Sequence, residues 1–379
     1  MQIFDFQPTT RVVFGENTIE QLGSLARDLS ARCVLIVTDP GIVAAGHVEK
    51  ALDSLKKETL QVIVFEDVEE NPTTHHVENG VRFAKEYPQV DLIVGLGGGS
   101  AMDCAKGINF LLTNGGKMED YWGIGKAQKP MLPSIGIPTT AGTGSEGQSF
   151  ALISQEKTHR KMACGDIKAR FRTVILDPTL LLSVPREVAT VTGMDAISHA
   201  LESYVTTKRN PISQLFAKEA WRLLEKHFEI VLNEPQNLNA WGQMLLGAHF
   251  SGLAIENSML GAAHATANPL TANYGITHGI AVGLMLPHII KFNSKVVNGL
   301  YKDLAAMVNG KRDGNIEKLL DRIRVLKNLA NLPGKLAAFN INKNDLPKLA
   351  KEAAEQWTGN FNPRKVNEVE LLDIYKAAY

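Results

Sequence analysis

Asp195 and His199 stand four residues apart in the run GMDAISHALES, residues 193–203. On a helix that spacing puts both side chains on one face, one turn apart, where they can reach a single point. A divalent metal is such a point. The plainer alternative is a core histidine hydrogen-bonded to a carboxylate; with 40 acidic residues and 10 histidines in the chain, such pairs arise by chance. Two further histidines, His264 and His278, follow in the run LGAAHATANPLTANYGITHGIAVGLMLPH. Each alone reads as a satisfied core or cap histidine. Together the four residues make a set of one carboxylate and three imidazoles, a donor mix suited to Fe2+, Zn2+ or Mn2+. One anionic ligand leaves a divalent ion with residual positive charge, which favours an alkoxide or a polarised carbonyl oxygen at an open position.

A second candidate site lies in DLIVGLGGGSAMDCAKG, residues 91–107, which reads as strand, glycine turn and helix. Gly97, Gly98 and Gly99 let the backbone approach a ligand closely, and Ser100 and Asp103 have the spacing of a capping box. Backbone N–H groups at such a helix start suit a pyrophosphate; the alternative is a tight turn and nothing more. The G-x-G-x-x-G fingerprint fails here, because Ser100 occupies its last glycine position. Asp39, at the end of CVLIVTD, precedes the glycines instead of following them. A carboxylate there can still accept both ribose hydroxyls of NAD and repel a 2′-phosphate, or it is simply a turn residue before Pro40. A second polar loop, PTTAGTGSE (138–146), follows another strand and is expected to face the same crevice.

These residues need elements to hold them. Through about residue 180, the near-continuous apolar runs CVLIVTD, QVIVFED, DLIVGLG and SIGIPTT alternate with amphipathic stretches such as HHVENGVRFAKEY. That pattern predicts a parallel sheet covered on both faces. SFALISQ and RTVILDP add further strands. From Pro185 onward SQLFAKEAWRLLEKHFEIVL, AWGQMLLGAHFSGLAIENSM and NIEKLLDRIRVLKNLANL carry helical spacing. The expected division is an α/β dinucleotide-binding domain over residues 1–184 and an all-α domain over 185–379, with ligands in the cleft between them.

Bulk properties narrow the partners. In 379 residues Lys+Arg and Asp+Glu balance at 40 each, so no strongly basic field invites nucleic acid or an anionic membrane, and the expected partner is a small molecule. Cys33, Cys104 and Cys164 lie far apart with no C-x-x-C spacing, which predicts neither a disulfide framework nor a thiolate metal site and fits a reducing cytoplasm. The start, MQIFDFQPTT, lacks the basic and apolar segments of a signal peptide. The most apolar stretch, near residues 279–290, reads as too short to cross a bilayer.

The ordered motifs TDPG, ENP, GGGSAMDCAK, PTTAGTGSE, GMDAISHALES, GAAHA, THG and FNPR resemble the iron-containing (group III, metal-dependent) alcohol dehydrogenase family through essentially the whole chain. The resemblance implies a dehydroquinate synthase-like fold: an N-terminal NAD(P)-binding α/β domain, a helical C-terminal domain and a metal in the cleft. It places metal ligands on Asp195, His199, His264 and His278, and cofactor contacts on Asp39, Asn71, Gly97, Gly98, Gly99, Ser100, Asp103, Thr139, Thr140, Thr143, Lys161 and Leu180. Phe150 resembles the bulky residue beside the nicotinamide. An aspartate at position 39 implies NAD(H) over NADP(H), and Fe2+ is the first expectation for the metal, with Zn2+ or Mn2+ as alternatives. A homodimer or larger homo-oligomer is implied by the same analogy.

One departure bears on mechanism. Many family members carry H-x-x-x-H-P on the helix of the third ligand, and here the second histidine is Asn268, in HATANP. Asparagine can hydrogen-bond a substrate but does not titrate near neutral pH, so a proton relay through this position is in doubt. Thr271 also stands where glycine often follows Pro-Leu. The activity implied is reversible hydride transfer between a nicotinamide and a small alcohol or aldehyde bound to the metal. A glycerol-type polyol dehydrogenase on the same fold is the nearest alternative. A metal hydrolase would have no use for Asp39 or the glycine turn, and a non-catalytic NAD sensor would not need four intact ligands.

Overall fold

The computed structural model describes residues 3–158, 160–308 and 314–379. The chain divides into two compact units. One comprises Gln7–Thr140 and Ser145–Val184, the other Met1–Phe6, Ala141–Gly144 and Pro185–Tyr379. Two short segments thus group with the helical unit, where the expected division put them in the α/β half. For Ala141–Gly144 the reason is close packing: a Cβ at Gly142 would meet Thr192, and one at Gly144 would lie 2.7 Å from the Cα of Gly252.

The α/β unit contains β1 (Arg11–Phe14), β2 (Cys33–Val37), β3 (Gln61–Phe65), β4 (Leu92–Gly97), β5 (Gly123–Ile124), β6 (Ser134–Pro138), β7 (Phe150–Ser154), β8 (Lys161–Gly165) and β9 (Thr173–Leu176). Six of them form one sheet in the order β1-β9-β6-β4-β2-β3, and every pair in it is parallel. Every residue of β2, β4 and β6 is buried, as strands covered on both faces must be. SFALISQ joins a separate three-stranded sheet, β5-β8-β7, whereas RTVILDP supplies β9 of the main sheet. The edge strand β1 is mostly exposed.

The helices of this unit are α1 (Leu22–Asp28), α2 (Pro40–Ala44), α3 (His47–Lys57), α4 (Thr74–Lys85) and α5 (Gly99–Asn114). The anticipated capping box of α5 does not form. Gly98 is the N-cap and no side chain caps the helix, so Ser100 and Asp103 lie within its first turns. Asp103 is buried and accepts a hydrogen bond from Ser145 Oγ at 2.5 Å, 42 residues away.

The helical unit comprises α6 (Arg186–Val205), α7 (Pro211–Asn233), α8 (Leu238–Ser258), α9 (Ala262–Tyr274), α10 (His278–Ala305), α11 (Ile316–Leu329), α12 (Leu346–Ala354) and α13 (Glu368–Ala378). Helix α6 is central: it packs on α7, α8 and α10 and is buried almost continuously from Ala189 to Val205. A helix apolar around its whole circumference belongs in a core, and its polar exceptions then call for explanation.

The apolar stretch at 279–290 belongs to a helix longer than the sequence reading allowed. Pro287 does not end it, and α10 runs 28 residues with a kink at Val297 (φ −127°, ψ 30°). By length and composition alone α10 could cross a membrane. Its packing against α6, α9 and α11 is that of a core helix.

The crossing of α6 and α10 depends on Gly279. A Cβ there would lie 2.0 Å from the carbonyl oxygen of Val191, a backbone atom of α6. Gly279→Ala is therefore expected to cost about 1–3 kcal/mol through overpacking, read as a lower urea midpoint with an unchanged m-value. An unchanged midpoint would show that the two helices do not approach so closely.

Candidate metal centre and nucleotide-binding elements

Three of the four anticipated metal ligands converge. Asp195 and His199, one turn apart on α6, meet His264 from the first turn of α9, and one ligand atom from each lies within 4.8 Å of the others. Asp195 Oδ1 is 3.4 Å from His199 Nε2 and 3.4 Å from His264 Nε2. The His199 and His264 rings stack, with centroids 4.9 Å apart. His278, the first residue of α10, stands at the margin: its Nε2 is 3.9 Å from Asp195 Oδ1 and its side chain is more exposed than the other three.

The polar atoms of this cluster fit a cation. Asp195 Oδ1 and His264 Nε2 are buried without a hydrogen-bond partner, an arrangement that is costly unless something else binds them. Burial would raise the Asp195 pKa, but the His199, His278 and His264 imidazoles outweigh it and hold the carboxyl well below the usual carboxylate range. Burial lowers the His199 pKa and prevails over the attraction of Asp195. For His264 the balance reverses: burial opposes the charge, yet Glu202 and Asp195 lift its pKa to about 9.

Glu202 was not anticipated as a site residue. It is buried on α6, seven residues after Asp195 and on the same face. Its Oε2 pairs with His264 Nδ1 in a very short contact, while Oε1 accepts a 2.7 Å hydrogen bond from the backbone N–H of Ala263. This carboxylate–histidine pairing fixes the ring and turns Nε2 toward the ligand cluster. It also supplies a cap that α9 lacks, since the N-cap Gly261 offers no side chain. Asn362, in the FNPR motif, completes the end: its Oδ1 accepts from Ala262 N at 3.2 Å, and its amide exchanges hydrogen bonds with Asn293 of α10.

Asn268 lies one turn beyond His264 on α9 and donates from Nδ2 to Gln356 Oε1 at 2.9 Å. Thr271 follows on the same face, with its Oγ1 buried and without a hydrogen-bond partner.

In the α/β unit Asp39, the glycines 97–99, Thr139 and Thr140 lie at the carboxyl ends of β2, β4 and β6, which are neighbours in the sheet, whereas Asn71 follows β3, Phe150 and Lys161 begin β7 and β8 of the smaller sheet, and Leu180 follows β9. Asp39 follows β2. Its Oδ1 accepts from Ile42 N, capping α2, and its Oδ2 lies 3.3 Å from where a Cβ on Gly97 would sit. Gly97 has φ +150°, a conformation glycine favours, and a Cβ there would also strike Ala101 at 2.8 Å. The backbone N–H of Thr139 donates to Gly97 O at 3.0 Å, and the Thr140 side chain faces Gly98.

Asn71, in a left-handed conformation (φ 55°), receives Lys161 Nζ on its Oδ1 and donates its backbone N–H to Ser100 Oγ, both at 3.2 Å. Phe150 is buried at the start of β7, with its ring against Gly165. Leu180 is wholly buried in the turn Pro178–Ser183. Thr143 falls in the helical unit.

A parallel α/β unit with an uncapped glycine-led helix start is thus joined in one chain to a helical unit carrying a carboxylate–imidazole cluster, the combination expected of a metal-dependent dehydrogenase. The comparisons make this specific. Residues 8–178 match the model of the iron-containing alcohol dehydrogenase family, and residues 189–379 match its C-terminal counterpart. The chain is 35% identical to alcohol dehydrogenase 4 of Schizosaccharomyces pombe over 97% of its own length and 87% of the relative's. A solved 1,3-propanediol oxidoreductase superposes with TM-score 0.96 at 31% identity, covering 100% of both chains. A sulfoacetaldehyde reductase from Bifidobacterium kashiwanohense, solved in complex with NAD+, superposes with TM-score 0.91 at 27% identity, covering 100% of this chain and 99% of the other. The chain belongs to the iron-containing alcohol dehydrogenase family, and it is an oxidoreductase acting on CH–OH groups.

The protonation pattern gives a countable outcome. At pH 7 Asp195 is ionised and His199 neutral, whereas His264, with a pKa of about 9, carries a proton that a metal must displace. Metal binding at pH 7 should release about one proton, measured by calorimetry in buffers of different ionisation enthalpy. Affinity should rise with pH until it levels off above about 9. Glu202→Gln should weaken metal binding about 10–100-fold and reduce the proton release, because His264 loses the charge that raises its pKa. Unchanged affinity would remove Glu202 from the centre.

Proposed function

We propose that this protein catalyses the reversible, NAD(H)-dependent interconversion of a small aldehyde and its alcohol, with Asp195, His199, His264 and His278 holding a divalent metal. The observation that carries the reading is the buried convergence of Asp195, His199 and His264 around partnerless polar atoms, oriented by Glu202. Fe2+ suits the set and accords with the family; Zn2+ and Mn2+ accept the same donors. Bound NAD(H) supplies or takes up the hydride, and the metal's positive charge polarises the carbonyl oxygen.

The chain's own residues bind and orient. Asp39 receives the ribose hydroxyls of the adenosine, and its charge disfavours a 2′-phosphate. Gly97, Gly98, Gly99 and Ser100 present the open N-terminus of α5 to the pyrophosphate, where backbone N–H groups and the helix dipole favour an anion. Thr139, Thr140, Thr143, Asn71 and Lys161 supply polar contacts to the cofactor, Phe150 flanks the nicotinamide, and Leu180 contributes through its backbone. Asp103 acts from within the fold, since Ser145 and the backbone of Leu152 engage its carboxylate. Asn268 orients substrate by hydrogen bonding and leaves proton delivery to water or cofactor hydroxyls, because an amide does not titrate near neutral pH.

Cys33, Cys104 and Cys164 are free and buried, and burial pushes the Cys164 thiol up to about 12, which suits a reducing cytoplasm and asks for no disulfide. A homo-oligomer accords with the exposed edge strand β1, on which Val12 and Phe14 are each 43% exposed, since apolar edges invite pairing. The substrate is a small neutral or polar aldehyde.

The test is NADH oxidation by protein stripped of metal and reloaded with Fe2+, Zn2+ or Mn2+, against short aldehydes that include hydroxyaldehydes. Turnover restored by a metal is expected; metal-independent turnover would contradict the reading. In the same assay Asp39→Gly should improve NADPH relative to NADH on the order of tenfold, and an unchanged ratio would mean that the ribose is read elsewhere.

A further inference from the structure

Lys106 is a cation in the core of the α/β unit. It lies on α5, two turns past the glycine-led start of the helix, and is 2% exposed. Its Nζ donates to Ser145 O, Ser145 Oγ and Phe150 O, each at 2.8 Å. Three donors meet three acceptors. Asp103 Oδ1 stands 3.6 Å away as counter-charge, and the Phe171 ring lies 5.3 Å from the ammonium. A buried lysine is costly unless paired and fully hydrogen-bonded, and here both conditions hold.

The donor inventory fixes the direction of each bond. An ammonium only donates, so Ser145 Oγ accepts from Lys106 and must spend its own hydrogen on Asp103 Oδ1, 2.5 Å away. Asp103 also takes the backbone N–H of Leu152. The Asp103–Ser145–Lys106 chain therefore ties α5 to the backbone at 145, 150 and 152. That segment begins immediately after the polar loop PTTAGTG and ends on β7, whose first residue is Phe150.

We propose that Lys106 is a positioning residue for the nicotinamide cofactor: by clamping Ser145 and Phe150 to the helix whose N-terminus receives the pyrophosphate, it holds the two ends of the cofactor site in register. The inference rests on the cofactor reading above. It gives Lys106 and Ser145 a part in cofactor binding without contact to the cofactor. Loss of the ammonium takes a buried donor from two backbone carbonyls and the Ser145 hydroxyl and removes the counter-charge from Asp103, so the segment shifts to make up those interactions.

The experiment is NADH binding to the full-length, Fe2+-loaded protein, followed by NADH fluorescence, for the parent, Lys106→Met and Ser145→Ala. Lys106→Met keeps the volume and removes the charge. It should raise the NADH Kd and the KM for NADH about tenfold or more, while Fe2+ affinity stays at the parent value. Ser145→Ala keeps the backbone acceptor and removes the hydroxyl relay, so a smaller rise, about threefold, is expected. A folded Lys106→Met protein with lowered thermal stability but a parental NADH Kd would show a purely structural lysine and overturn the proposal. Should Lys106→Met fail to fold, Ser145→Ala decides, and a parental Kd there overturns it equally. A parent that itself does not bind NADH would instead refute the cofactor reading.

Discussion

The carboxylate of Glu202 is the constraint on which the metal centre turns. One side chain does three things: it receives the N–H of Ala263 at the start of α9, binds His264 Nδ1, and from its place on α6 fixes His264 relative to Asp195 and His199. Negative charge at a helix N-terminus is favourable in itself. The same charge keeps Nδ1 of His264 engaged and leaves Nε2 for an ion. Without it, the start of α9 would keep only the Asn362 acceptor at Ala262, and His264 Nδ1 would lose its partner. Asn362 and Asn293 extend this anchorage, joining the start of α9 to α10, the helix that carries His278.

The α/β unit solves a different problem with similar means. A helix start left open for an anion, as proposed for α5, requires that the polar side chains near it find partners elsewhere. Asp39 caps its own short helix through one oxygen and keeps the other beside Gly97. Asp103 turns inward to Ser145, and Lys106 donates to two backbone carbonyls and the Ser145 hydroxyl. Each unit thus holds buried charges tied to partners distant in sequence, Asp103 and Lys106 to Ser145 and Glu202 to His264. Burying them without those partners would cost more than the fold can spare.

This explains what the sequence revealed and what it concealed. CVLIVTD, DLIVGLG and SIGIPTT were legible as strands because strands buried on both faces are apolar throughout, and β2, β4 and β6 are such strands. RVVF escaped as β1 because four residues on a mostly exposed edge carry no such signal. The extent of α10 was underestimated because Pro287 and His288 interrupt the apolar run without ending the helix. Asp195 and His199 announced themselves by their spacing within one helix. Glu202 lay in the same quoted run, on the same face, but an acid at that position reads as solvent-facing until His264, 62 residues on, is known to meet it. The spacing of Ser100 and Asp103 misled for the converse reason: it is the right local distance for a cap, but Asp103 serves a partner 42 residues away.

The proposed function requires a divalent ion held by the helical unit through one carboxylate and three imidazoles. Anomalous diffraction at the iron edge from crystals of the Fe2+-reconstituted protein tests this directly. A single strong peak coordinated by Asp195 Oδ1 and the Nε2 atoms of His199, His264 and His278 is the predicted result. An iron peak elsewhere in a fully active protein, or none at this cluster, would contradict it.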